Sequence, residues 1–297
     1  MQDYRKYLKP ETVAQLQNIE IKARLVVEGF ITGLHRSPYH GFSVEFAEHR
    51  QYRHGDETRN IDWKVYARTN KYFVKQYEEE TNLRSMIAID RSASMKYASK
   101  GNIPKFEYAS YLAAALSMLM IRQRDAVGLA LYDTEVRTFL PPNSKPSYIN
   151  AILNTLATTT PSDETHTAAA LDMLAERIKR RGLVVIISDF FDDARSVLNA
   201  LKHFRHRNHE VIAFQLLDPR EIDFKLGAGA TFRDMETGEE MITNPYHIQS
   251  SYKQAVNEHI NLIKRECLNH QIDYFLIDTS MPFDKALRDY LIKRTRV

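Results

Sequence analysis

Ile87-Ala88-Ile89-Asp90-Arg91-Ser92-Ala93-Ser94-Met95 decides how this chain is read. An apolar run that opens at Met86 stops at a carboxylate, and two hydroxyls follow at alternate positions. A short, near-continuous apolar run bounded in this way predicts a parallel strand covered on both faces. The carboxyl ends of such strands are where open α/β sheets bind ligands. Asp90, Ser92 and Ser94 offer only hard oxygens, which select Mg2+, Mn2+ or Ca2+ over zinc or copper. On this segment alone an equal alternative stands, in which Asp90 caps the next helix and the serines shape a turn, since Asp and Ser are favoured in both roles.

Outward from this stretch, strands and helices alternate from Ser85 to the end of the sequence, the pattern of a parallel sheet with crossover helices. Helices are expected at about 105–123, 147–156, 167–180, 196–205, 250–268 and 283–293, and strands at 126–132, 136–140, 183–188, 211–217 and 272–277. Only Asp133-Thr134-Glu135 separates the strands at 126–132 and 136–140. That gap is too short for a crossover, so the second strand must run antiparallel. Residues 231–243, with Glu236-Thr237-Gly238-Glu239 at the centre, read as a hairpin inside an insertion near 220–247. Upstream, Val13, Leu16, Ile19, Ala23 and Val26 recur at helical steps after Pro10, which predicts a helix over 10–27. Short aromatic-rich pieces with turn signals from Leu34 to Glu80 predict strands and loops, including a strand near 72–77. The chain therefore divides into an N-terminal helix and β-rich segment, 1–80, and a doubly wound, Rossmann-type α/β domain, 81–297. The sheet of that domain is mostly parallel, with one antiparallel edge strand.

Composition excludes several classes of function. With 297 residues, 43% hydrophobic and 27% charged, the chain has enough apolar material for a substantial core and is not a disordered protein. A net charge of +3 with acids and bases intermixed leaves no basic stripe of the kind that binds nucleic acid. Cys267 is the single cysteine, so no internal disulfide can form, and core filling is its expected role. No apolar segment approaches the roughly 20 residues that a membrane span needs. The N-terminus lacks a signal-peptide core, and a cytoplasmic location is expected.

Two further positions bear on Asp90. Glu164-Thr165-His166-Thr167 places hydroxyls just ahead of a helix; Thr167 suits the N-cap, which leaves Thr165 in the loop. The apolar strand 183–188 also ends in an acid, Asp189. In a doubly wound sheet, Asp90, Ser92, Ser94, Thr165 and Asp189 converge at one edge. This set resembles the metal-ion-dependent adhesion site of von Willebrand factor A domains, in which Asp-x-Ser-x-Ser is followed by a loop threonine and a strand-terminal aspartate. The resemblance implies a divalent ion touched directly by the hydroxyls, with one position open for a partner's carboxylate. The run from Arg50 to Thr69, Arg-Gln-Tyr-Arg-His-Gly-Asp-Glu-Thr-Arg-Asn-Ile-Asp-Trp-Lys-Val-Tyr-Ala-Arg-Thr, is similar to the signature of the bacterial family called domain of unknown function 58. That family joins such a segment to a von Willebrand A-like domain, and a MoxR-type AAA+ ATPase is the partner it implies.

Within the signature, Arg50, Arg53, Arg59 and Arg68 alternate with Asp56, Glu57 and Asp62, and an ion-pair network is expected there. Trp63 is expected to anchor packing. His35, His40, His49 and His54 match no zinc spacing.

Asp90 and Ser188-Asp189 at strand ends also resemble haloacid-dehalogenase-type phosphohydrolases, in which a second aspartate two residues after the nucleophile acts as general acid. Here that position is Ser92, and a hydroxyl cannot supply the acid. No Gly-x-Ser-x-Gly elbow surrounds Ser92 or Ser94, and no strand-to-helix turn frames Gly227-Ala228-Gly229. The expected function is a non-enzymatic, metal-dependent interaction module that binds an acidic residue of a protein partner, with a metal-dependent phosphohydrolase as the alternative.

Overall fold

The computed structural model describes residues 18–19, 23, 27, 49–52, 61, 63–75, 83–161, 167–224, 230–233, 240–243, 245–283 and 287. The chain forms two compact units, Ser37–Asn82 and Met1–Arg36 together with Leu83–Val297. Composition drew one boundary at 80/81, whereas packing draws one at 36/37 and another at 82/83. The first segment groups with the sheet because Ala23 and Val27, both fully buried, join its core.

In the smaller unit, β1 (His49–Gln51) and β2 (Phe73–Lys75) pair antiparallel, with Arg50 opposite Val74. Between them lies α1 (Trp63–Thr69), a helix where strands and loops were expected. Asn70, whose φ of 55° suits the left-handed position after a helix, ends it, and its N–H donates to Tyr66 O at 2.8 Å. Tyr66 stacks on Tyr72 at 4.5 Å between ring centres, with Trp63 edge-on to Tyr66 at 6.0 Å. Trp63 is 58% exposed, so the stacked tyrosines hold this corner together in place of the expected tryptophan anchor. Arg53, Asp56, Glu57, Arg59 and Asp62 lie outside the described residues, as do His35, His40 and His54.

The larger unit runs β3 (Arg84–Asp90), a 3-10 turn (Ala93–Lys96), α2 (Lys105–Arg122), β4 (Ala126–Tyr132), β5 (Val136–Asn143), α3 (Tyr148–Thr158), α4 (Thr167–Arg177), β6 (Leu183–Ser188), α5 (Ala194–His206), β7 (Glu210–Leu217), α6 (Pro219–Asp223), β8 (Ala230–Arg233), β9 (Glu240–Thr243), α7 (Pro245–Asn269) and β10 (Asp273–Asp278). Six strands form one sheet in the order β10-β7-β6-β3-β4-β5. All pairings are parallel except β4 with β5. This is the doubly wound, mostly parallel sheet with one antiparallel edge strand expected from the sequence. The order reverses between β3 and β6, and such a reversal opens a crevice at the carboxyl ends of the two strands.

Both faces of the sheet are covered, which is why its central strands read as unbroken apolar runs. Ile87, Ile89, Leu129 and Ile187 pack on one face against α2 and α3, while Met86, Ala88, Val184 and Ile186 pack on the other against α4, α5 and α7. Helix α2 is buried at every residue from Lys105 to Met120 except the partly buried Glu107. It lies beneath a further layer that includes Ile152, Leu153 and Leu156 of α3, which leaves little of it facing water. Strands β8 and β9 pair as the expected hairpin, with Ala230 opposite Thr243; their turn, 234–239, lies outside the described residues. So do most of the expected helices at 10–27 and 283–293.

Candidate metal centre

Strand β3 delivers Asp90 as its last residue, and β6 ends at Ser188 with Asp189 next, so the two strands flanking the reversal both finish in an acid at the same sheet edge. Asp90 is 1% exposed. Its Oδ1 accepts from Ser92 N at 2.8 Å and its Oδ2 from the Ser188 hydroxyl at 2.6 Å. Ser188 Oγ in turn accepts from Phe190 N at 2.9 Å, which fixes its own proton on Asp90. This bond holds a tight turn in which Phe190 sits at φ 55° while wholly buried. An aromatic residue in the left-handed region is uncommon and persists only where the surroundings enforce it.

The two serines approach each other. Ser92 Oγ lies 3.1 Å from Ser94 Oγ. Adjacent oxygens around Mg2+ stand roughly 3 Å apart when the bonds are about 2.1 Å long. Asp90, Ser92 and Ser94 thus present a buried carboxylate and two neighbouring hydroxyls, a hard-oxygen set that could hold such an ion. Among the described residues, no group of three or more His, Cys, Asp or Glu side chains is placed to hold a metal. Any ion here would therefore depend on hydroxyl donors. Thr165, expected to supply one, lies outside the described residues.

Asp189 is 2% exposed, and its environment was not expected. Lys105, the first residue of α2, donates to Asp189 Oδ2 at 2.7 Å and to Glu221 Oε1 at 2.6 Å, with its side chain 0% exposed. Asp189 Oδ1 accepts from Phe191 N at 3.1 Å, and Gln215 Nε2 donates to the Asp189 carbonyl at 2.7 Å. Lys105 supplies the counter-charge to Asp189. Glu221 belongs to α6, whose N-terminus is a capping box. Asp218 Oδ1 accepts from Arg220 N at 2.8 Å, and Glu221 Oε2 accepts from Asp218 N at 2.8 Å. Asp218 Oδ2 also accepts from Ser99 N at 2.9 Å and from Asn102 Nδ2 at 3.3 Å, tying the loop after the serines to β7.

The electrostatics follow from burial. Loss of solvent, reinforced by the charge of Asp189, pushes the Asp90 carboxyl up to about 7, against the opposing hydrogen bonds of Ser188 and Ser92. Burial and then the Asp90 charge hold the neighbouring Tyr132 hydroxyl protonated far above its ordinary range. Burial alone would lower Lys105, but Asp189 and Glu221 outweigh it and raise its pKa. Asp133, a third strand-terminal acid, is taken up at the rim by Arg137 Nε at 2.7 Å and faces Arg91 Nε at 3.6 Å. Its carboxyl is lowered because those partners overcome its burial.

Residues 48–261 match the family described as "Protein of unknown function DUF58". The chain belongs to that family. An uncharacterized protein of Mycobacterium tuberculosis is 29% identical over 234 residues, covering 77% of this chain and 72% of that protein. Among solved structures, this DUF58 chain is similar to an aerotolerance-related membrane protein from Bacteroides fragilis at 21% identity and a TM-score of 0.47, over 71% of this chain and 99% of that one. A conserved hypothetical protein, BatB from Bacteroides thetaiotaomicron, matches at 18% identity and a TM-score of 0.46, over 72% of this chain and all (100%) of that one. The SpRpn10 VWA domain matches at 14% identity and a TM-score of 0.39, over 69% and 94%. Among the described residues, no helix is long and apolar enough to cross a membrane.

Proposed function

We propose that this DUF58 protein is a non-enzymatic, cytoplasmic interaction module that docks an acidic side chain of a partner through a divalent ion, Mg2+ or else Mn2+ or Ca2+. Asp90, Ser92, Ser94, Thr165 and Asp189 hold the ion. The observation that carries the reading is the placement of the buried Asp90 carboxylate beside the paired Ser92 and Ser94 hydroxyls at the point where the sheet order reverses. When bound, the ion supplies a Lewis-acidic position that an incoming carboxylate can complete. The protein's own groups do the rest. Ser188 and the Ser92 N–H fix the orientation of Asp90, and the Asp218 hydrogen bonds fix the loop that follows the serines. Through the family resemblance, a MoxR-type AAA+ ATPase is the proposed partner.

The phosphohydrolase reading gains nothing from the site. A two-acid mechanism needs a second aspartate two residues after the nucleophile, and after Asp90 that position is Ser92. The test of the docking reading is calorimetric titration of the purified MoxR-type ATPase from the same organism into wild type with Mg2+, wild type with EDTA, and Thr165→Ala with Mg2+. A charge-assisted contact at an interface centre costs about 2 kcal/mol or more when it is lost, so affinity should fall at least roughly tenfold in EDTA and in the variant. Equal affinities in all three would remove this surface as the docking site.

A further inference from the structure

Lys105 is the one cation buried inside the described part of the site, and its surroundings make it an unusual one. Lysine is almost never fully buried unless paired. Here the ammonium has two carboxylates and two rings, with Asp189 Oδ2 at 2.7 Å, Glu221 Oε1 at 2.6 Å, the Phe191 ring centre at 5.2 Å and the Tyr97 ring centre at 6.0 Å. These contacts differ in how they are held. Glu221 is anchored independently, because its other oxygen takes the Asp218 N–H in the capping box of α6. The rings contribute attraction over their faces regardless of what Asp189 does. Asp189, by contrast, belongs both to the lysine and to the oxygen set that begins at Asp90. Lys105 can therefore give up Asp189 and still keep one carboxylate and two ring faces.

We propose that Lys105 is the resident counter-cation of the Asp90 site and competes with the divalent ion for Asp189. In the metal-free protein its ammonium neutralises that carboxylate, so the fold does not need an ion to hold the two acids apart. A monovalent ion offers Asp189 no more charge than the ammonium already does. A divalent ion does offer more, and its arrival leaves Lys105 on Glu221, so that occupancy of the site reaches helix α6 through the same side chain. The inference rests on the reading of the Asp90 cluster as a metal site and adds what sets its affinity.

The test is calorimetric titration of MnCl2 into metal-stripped full-length wild type, Lys105→Met, Lys105→Arg, Glu221→Gln and Asp90→Ala. Lys105→Met removes the competing charge while preserving the aliphatic stem and should bind Mn2+ at least tenfold more tightly than wild type. Lys105→Arg, which keeps the charge, should stay within about threefold of wild type. Glu221→Gln preserves the cap, since glutamine serves at that position as well, but it leaves the ammonium more dependent on Asp189. Mn2+ should therefore bind it several-fold more weakly than wild type, a readout that does not need Lys105→Met to fold. Tighter binding in Lys105→Met or weaker binding in Glu221→Gln, with no binding in Asp90→Ala, supports the competition. Unchanged affinity in both Lys105→Met and Glu221→Gln, with wild type still binding Mn2+ through Asp90, overturns the competition and leaves the metal site standing. Absence of Mn2+ binding in every variant overturns both, as does equal binding in wild type and Asp90→Ala.

Discussion

The Ser188 hydroxyl donates to Asp90 Oδ2 at 2.6 Å and so joins the ends of β6 and β3 across the place where the sheet reverses its order. Both residues are buried, and the same hydroxyl accepts from Phe190 N at 2.9 Å. Ser188→Ala leaves a buried acceptor and a buried N–H unpaired at once. Unpaired buried groups cost about 1–3 kcal/mol, so the urea midpoint should fall clearly with an unchanged slope. A midpoint indistinguishable from wild type would show that water replaces the hydroxyl without loss.

Asp90 should also give the metal-free protein a distinctive pH profile. Its folded-state pKa, about 7, lies above the ordinary carboxylate value of 3.8, so the native state holds this proton more tightly than the unfolded chain does. The associated stability is fully present below about pH 4 and is lost as pH rises through about 7. Denaturant melts in EDTA from pH 4 to 8 should show this falling component, and Asp90→Asn should remove it. A profile of the same slope in the variant would assign the proton elsewhere.

Asp218 stands behind the site and not in it. It is fully buried, caps α6, and accepts from Ser99 N at 2.9 Å and Asn102 Nδ2 at 3.3 Å. Asp218→Ala removes a helix cap and strips the partner from a buried backbone donor, which together cost about 2–4 kcal/mol. Because the loop after the serines hangs on these bonds, exchange of the Ser99 and Asn102 amides should accelerate in the variant more than exchange in β7.

Hydrolysis of p-nitrophenyl phosphate with Mg2+ should not exceed that of the buffer, since Ser92 stands where a two-acid mechanism requires an aspartate. Turnover that disappears in Asp90→Asn would contradict the interaction reading and restore the phosphohydrolase.

Much of the fold was legible because its signals are local. The short link Asp133-Thr134-Glu135 fixed the antiparallel edge, and the acids ending β3 and β6 marked the strand ends that face the site. Asp193 caps α5 through Ser196 N at 2.9 Å, and Cys267 is buried as core, both as the residue types suggest. The miss at Lys105 has a physical cause. A lysine in the first turn of a helix normally reads as solvated, and what surrounds this one is Asp189, Glu221, Phe191 and Tyr97, none of which the sequence of α2 contains. One trace was present: a helix as apolar as 106–120 leaves little solvent-facing side for a charge in its first turn. Asp218-Pro219-Arg220-Glu221 spells a capping box with proline at the first helical position, yet helix α6 was not anticipated within the insertion. The α1 helix was hidden by the aromatic, turn-rich composition around it.

The central claim is that Asp90 holds a divalent ion, and melting of metal-stripped full-length protein with and without Mn2+ tests it most directly. At about ten times the dissociation constant the ion should add roughly 1.4 kcal/mol, raising Tm by about 3 to 6 °C in wild type and not at all in Asp90→Ala. An equal rise in both proteins, or none in either, would contradict the account.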